Sequence, residues 1–316
     1  MEDLLFSINA TFPVFLLIVL GFIMQKLDIV GIDFSNSVNK YVFRIGFPFL
    51  LFHDISQILI TESFDKNYIL FCALITTISF VAIWGASHVF IKNPKIRGSF
   101  VQGACRGSAA SLGLAFITNM YGSTGMASLM IIAAVPLYNI YSVIILTMEA
   151  DTGSNETKKI NYKKIGRSII TNPIIIGIVL GILSSLLRIK LPHVLNKTVS
   201  SIATTAAPMA LLAIGSSLKL EEMIHKLQPA IISSFIKLAV LPLIFVPVGI
   251  LLGFRNETLV SILIMLGSPA TSNCFIMAKN MNNDEVLAGS IVGITTLLSA
   301  VTLTLGIYLL KLYGYI

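Results

Sequence analysis

The sequence predicts an all-α membrane protein of about ten transmembrane helices, built as two inverted five-helix repeats with a pair of crossing broken helices. Three observations carry this expectation. Hydrophobic residues make up 55% of the 316 and charged residues 12%, about half the charged share of a soluble domain. The apolar residues fall in runs near the ~20 needed to cross a bilayer. The two halves also repeat at a shift of 160. Thr11-Phe12-Pro13 returns as Thr171-Asn172-Pro173, and Ile18-Val19-Leu20-Gly21 returns unchanged as Ile178-Val179-Leu180-Gly181. Pro48 returns as Pro208 and Gly107-Ser108 as Gly267-Ser268. Internal duplication of an apolar unit points to a membrane repeat whose functional site lies where the halves meet.

Span 1, Leu5 to Gln25, follows an acidic start and is too long for a signal-peptide core, so it reads as a retained helix. Span 2, Asn39 to Phe52, is short and rests on its repeat mate, span 7. Spans 3, 4 and 5 cover Tyr68 to Ile91, Gly98 to Met120 and Met126 to Met148. A polar linker, 149–164, separates the first repeat (1–148) from the second (165–316). Span 6 covers Ile165 to Leu187, span 7 Val199 to Leu218 and span 8 Gln228 to Leu252. Span 9 covers Glu257 to Ala278 and span 10 Glu285 to Leu310.

The net charge of +7 does not mark a nucleic-acid binder, because the cations sit in short loops between apolar runs. They act there as orientation signals. Fourteen of the 22 Lys and Arg fall on the side of the 149–164 linker and six on the other. The excess places the linker in the cytoplasm and both termini outside. Five spans per half is an odd number, so the second half enters the membrane upside down. Cys72, Cys105 and Cys274 lie in apolar segments without metal or redox spacing. No HExxH, GxSxG or P-loop pattern occurs. An enzyme, an ATP-driven pump, a metal site and a resident cofactor are therefore not expected.

The chemistry concentrates in two interrupted spans. Span 4 contains Arg106-Gly107-Ser108 followed by Ser111, and span 9 contains Ser268-Pro269 followed by Thr271 and Asn273. Glycine weakens a helix and proline removes a donor. Small hydroxyl residues can satisfy the freed backbone or a ligand. The same residues also permit close helix packing. A broken helix aims a positive N-terminal end into the membrane, and that end suits an anion. Only Arg106 and Lys237 are cations well inside spans, and no carboxylate lies comparably deep. Each needs a partner. For Arg106 that is an anionic substrate or carbonyls exposed by the break. For Lys237 it is the substrate or, by snorkelling, the cytoplasmic face.

Several stretches resemble the auxin efflux carrier family, in particular its bacterial malate/malonate permease-like branch. They are Ser168 to Asn172-Pro173 leading to Leu180-Gly181, Asn119-Met120-Tyr121-Gly122, and Lys279-Asn280-Met281 through Asp284-Glu285-Val286-Leu287. The similarity extends over essentially the whole chain. Arg106 matches the arginine of that branch, whereas Ser108 stands where an asparagine is expected. The resemblance implies a fold like that of NhaA and the sodium/bile-acid symporters. Spans 1, 2, 6 and 7 would form a scaffold and the others a mobile, crossover-bearing body in an elevator-type or rocking carrier. The implied function is secondary transport, by alternating access, of a small organic anion such as malate, a mono- or dicarboxylate. The alternatives are a sodium-coupled bile-acid-type symporter and a membrane sensor on the same fold. Expected partners are the anion and the lipid bilayer. A proton or sodium coupling ion and a homodimer are left open.

Overall fold

The computed structural model describes residues 2–57, 65–110, 116–117, 120–121, 125–150, 166–167, 169–189, 191–217 and 220–316, with 2–11, 32, 125 and 220 described as backbone only. The described residues are predominantly helical, with no named strand. Helix α1 is Glu2–Lys26, and α2 joins Ile32–Tyr41, a π turn at Val42–Gly46 and Phe47–Ser56. Then come α3 (Lys66–Phe90), α4 (Pro94–Cys105), α5 (Gly125–Glu149) and α6 (Pro173–Leu186). The second half continues with α7 (His193–Ser216), α8 (Leu220–His225) and α9 (Leu227–Leu251, with a π turn at Ile236–Val240). It ends with α10 (Asn256–Gly267), α11 (Asn273–Asn280) and α12 (Glu285–Leu312).

Local chemistry sets these boundaries. Asp65 caps α3 by accepting from Asn67 N and Tyr68 N, and Asp284 caps α12 by accepting from Leu287 N. Asn93 and Asn172 cap α4 and α6, each followed by a proline at the first helical position, where a missing N–H is tolerated. Each π turn ends two residues before a proline, Pro48 in α2 and Pro242 in α9. A proline cannot donate to the carbonyl four residues back and its ring crowds that carbonyl, so the ladder slips by one residue there. Each π turn also carries a cation: Arg44 is exposed, whereas Lys237 is wholly buried.

Among the described residues, five helices are long and apolar enough to cross a membrane: α3, α7, α9, α12 and residues 126–149 of α5. Phe12–Lys26, α6 and α10 are shorter apolar helices. On α3, Leu70, Leu74, Ile78 and Val81 are exposed at helical spacing, as a lipid-facing stripe would be. Span 2 proves longer than its apolar core, because the polar turns from Ile32 to Tyr41 continue into the same helix.

The helices gather into two sets. In one, α1 packs on α7, and α2 packs on α6 and α7; the other helices pack mainly among themselves, with α12 also against α1. Backbones approach closely where glycine removes the side chain. A Cβ on Gly21 would strike the Leu212 backbone, and one on Gly181 would press on the Phe52 backbone. Element lengths recur as well. Helix α3, starting at residue 66, and α9, starting at 227, both run 25 residues. Helix α4 from residue 94 and α10 from 256 both run 12.

One end of the second set is tied by buried charge. The Glu149 carboxylate accepts from Arg97 Nη1 and Trp84 Nε1, each at 2.9 Å, joining the end of α5 to α3 and α4. Lys226 pairs with Asp284 at 2.8 Å beside them.

Candidate functional site

Helices α4 and α10 both stop inside the apolar body, and their broken ends meet. Arg106, after α4, is extended (φ −89°, ψ 117°), as is Ser268 after α10 (φ −67°, ψ 153°). Pro269 explains the second break, since its ring pushes the preceding residue out of the helical region. Gly107 and Ala270 then pair as an isolated antiparallel bridge, and Ser108 N donates to Pro269 O at 2.9 Å. The first break has no proline and depends on Gly107. A Cβ there would collide with Ser268 Oγ and Lys237 Nζ. In sequence Gly107 aligns with Gly267, but α10 both starts and ends two residues later than the repeat would place it from α4, so the register is offset by two along the whole helix.

The two intramembrane cations take different tasks. Lys237, 0% exposed, donates from Nζ to Cys105 O at 3.3 Å and Met265 O at 3.1 Å. Those carbonyls belong to the last turns of α4 and α10, where backbone acceptors are unpaired and the helix dipole is negative. Tyr138 Oη donates to the same Met265 O at 3.1 Å. Lys237 therefore does what the sequence had left open to Arg106, satisfying carbonyls freed by the breaks, and it does not snorkel.

Arg106 points elsewhere. Its Nη2 donates to Asn139 Oδ1 at 2.7 Å and its Nη1 to Met277 Sδ at 3.0 Å, and the residue is 4% exposed. Both partners are neutral, and among the described residues no carboxylate pairs with it. A buried guanidinium without a counter-charge is the arrangement an incoming anion completes. The N-terminal end of α11 begins beside it at Asn273, whose Nδ2 lies 3.4 Å from Asn139 Oδ1. Thr271 Oγ1 accepts from Asn273 N, and Ala270 N donates to Thr295 Oγ1 at 3.0 Å. Ser268 is fully buried with its Oγ unpartnered.

Arg106, Gly107, Ser108, Ser268, Pro269, Thr271 and Asn273 thus converge on one crossing, with Lys237 at its carbonyl side. Ser111 lies outside the described residues. Sequence reasoning missed Asn139, Tyr138, Met277 and Thr295. Asn139 carried a usable signal, a side-chain amide in the otherwise apolar middle of span 5. Among the described residues no group of three His, Cys, Asp or Glu could hold a metal ion.

Comparison with known proteins fits this picture. A family profile described as "Membrane transport protein", that of the auxin efflux carriers, matches residues 6–307. A Rhizobium meliloti (strain 1021) protein named "Putative malonate transporter" is 25% identical, covering 95% of this chain and 94% of that protein. "Uncharacterized transporter YfdV" of Escherichia coli (strain K12) is 22% identical over 98% of this chain and 99% of its own. An "Uncharacterized transporter" of Methanothermobacter thermautotrophicus is also 22% identical, over 95% and 97%. With a match running from residue 6 to residue 307, helices apolar enough to cross a bilayer and two broken helices meeting inside them, the chain belongs to the auxin efflux carrier family and is a multi-pass membrane transport protein.

Proposed function

We propose that this protein is a secondary carrier of a small organic mono- or dicarboxylate, moved by alternating access, with the carboxylate held at Arg106. The observation carrying this reading is the buried guanidinium bonded, among the described residues, only to neutral groups beside the N-terminal end of α11. A planar fork grips a carboxylate through two parallel bonds. The name of the Rhizobium meliloti relative supports the same chemistry, with malonate as the first compound to try.

The carrier is read as two inverted five-helix repeats, 1–148 and 165–316. An exchanged contact supports this. Gly21 meets Leu212, and Gly181 meets Phe52, each residue of the second contact being the 160-shifted image of one in the first. Such reciprocity is what a two-fold axis relating the halves produces. Helices α1, α2, α6 and α7 form the fixed scaffold, and the set carrying the crossing moves against it. Both termini face outward in the plasma membrane, following the cation count. Single cysteines in the 149–164 linker should resist impermeant thiol reagents in intact cells while cysteines at the termini react; the reverse pattern would overturn this orientation.

The sodium-coupled alternative finds fewer donors here. Two carbonyls at the crossing, Cys105 O and Met265 O, already face the Lys237 ammonium, whose charge opposes a second cation there. In proteoliposomes, external malonate or malate should drive counterflow of the labelled anion equally in sodium and in choline buffer. Counterflow with none of a panel of mono- and dicarboxylates would sink the proposed function. Strict sodium dependence would favour the symporter.

A further inference from the structure

Asn273 is held so that it offers an acceptor, and a carboxylate substrate has no donor to meet it. The orientation follows from a relay that fixes each amide in turn. Asn139 Nδ2 donates to Val135 O at 2.9 Å, which turns Asn139 Oδ1 toward Arg106 Nη2 at 2.7 Å. An oxygen that accepts from a guanidinium can only be approached by another donor. The atom of Asn273 facing it, at 3.4 Å, is therefore the nitrogen rather than the oxygen. This settles the usual ambiguity of an amide from its bonding partners. Asn273 Oδ1 is left buried, in a residue 2% exposed, with no hydrogen-bond partner among the described residues. A second buried oxygen without a partner, Ser268 Oγ, lies at the same crossing beside Gly107.

An unpaired acceptor in a buried site favours a ligand that brings a hydroxyl proton to it, because desolvating the acceptor for nothing is unfavourable. We propose that Asn273 is a specificity-determining residue that selects hydroxy acids, the carboxylate going to Arg106 and the neighbouring hydroxyl donating to Asn273 Oδ1. This rests on the reading of Arg106 as the carboxylate anchor and narrows the substrate class beyond it.

The test uses matched pairs that differ by one hydroxyl: lactate against propionate, malate against succinate, and hydroxymalonate against malonate. Thermal stabilisation of the purified protein gives the affinity of each. The hydroxylated member should bind roughly tenfold or more tightly in wild type, since sites built around a hydrogen bond reject analogues lacking it. In Asn273→Leu the two members of each pair should become equal. The wild-type comparison needs no variant to fold and decides the matter alone. Equal binding within every pair would overturn the inference while leaving Arg106 as anchor, the acceptor then being met by water. A hydroxyl preference that survives Asn273→Leu unchanged would also overturn it. Stabilisation by no member of any pair would overturn both this inference and the carrier reading beneath it.

Discussion

Arg106→Ala should abolish anion binding and transport while leaving the empty protein at least as stable as wild type. The guanidinium is buried against Asn139 Oδ1 and Met277 Sδ with no opposing charge among the described residues. Removing it deletes a desolvated cation that gains little in the absence of substrate. With substrate bound the balance reverses. Hydrogen bonds to charged groups contribute about 1.5–3 kcal/mol each. Losing a two-bond grip then weakens binding by roughly 100-fold or more, at about 1.4 kcal/mol per factor of ten. Arg106→Lys should recover little, because a single ammonium cannot hold Asn139 and a carboxylate in the same planar geometry. Alanine at Ser108, Ser268 or Thr271 should each lose on the order of 0.5–1.5 kcal/mol, the size of a neutral hydrogen bond. Thermal unfolding with and without anion, alongside proteoliposome uptake, reads both effects. Normal uptake by Arg106→Ala would remove the arginine from the site.

How much of this was legible in the sequence depends on which interaction decided each feature. The breaks were legible, because Gly107-Ser108 and Gly267-Ser268-Pro269 announce them through backbone chemistry that is local to the chain. The extent of α2 was only partly legible. An apolar-run criterion finds Asn39 to Phe52 and passes over Ile32 to Val38, whose polar residues continue the same helix. The role of Lys237 was hidden, since no spacing along one helix reveals that a π turn will place its ammonium between the ends of two others. Its trace in the sequence is indirect: Pro242 lies five residues on, and prolines force such slips. Asn139 was hidden for a simpler reason. Its two long-range contacts lie 33 and 134 residues away, and only the assembled fold brings them to it. The two-residue offset from the sequence repeat is set where the helices start, at Pro94 after its Asn93 cap and at Asn256 after Arg255, rather than at the breaks.

Lys237→Met should destabilise the protein even when no substrate is present, by about 2–4 kcal/mol as judged from charge-assisted hydrogen bonds. Methionine is close to lysine in length and leaves little cavity, so the change isolates the ammonium from the volume it fills. What is lost is specific. Cys105 O and Met265 O end the two helices that cross, and both accept from Lys237 Nζ. Met265 O keeps Tyr138 Oη, whereas among the described residues Lys237 is the donor to Cys105 O and no other takes its place. A buried carbonyl without a donor is penalised most in an apolar interior, and the two negative helix ends would then face each other without a cation between them. The contrast with Arg106 separates the two cations by measurement. Arg106→Ala should erase the stabilisation conferred by anion and spare the empty protein; Lys237→Met should lower the unfolding temperature of the empty protein itself. If Lys237→Met melts like wild type and loses only anion affinity, then the ammonium serves the substrate and the crossing is held by its backbone bridge alone.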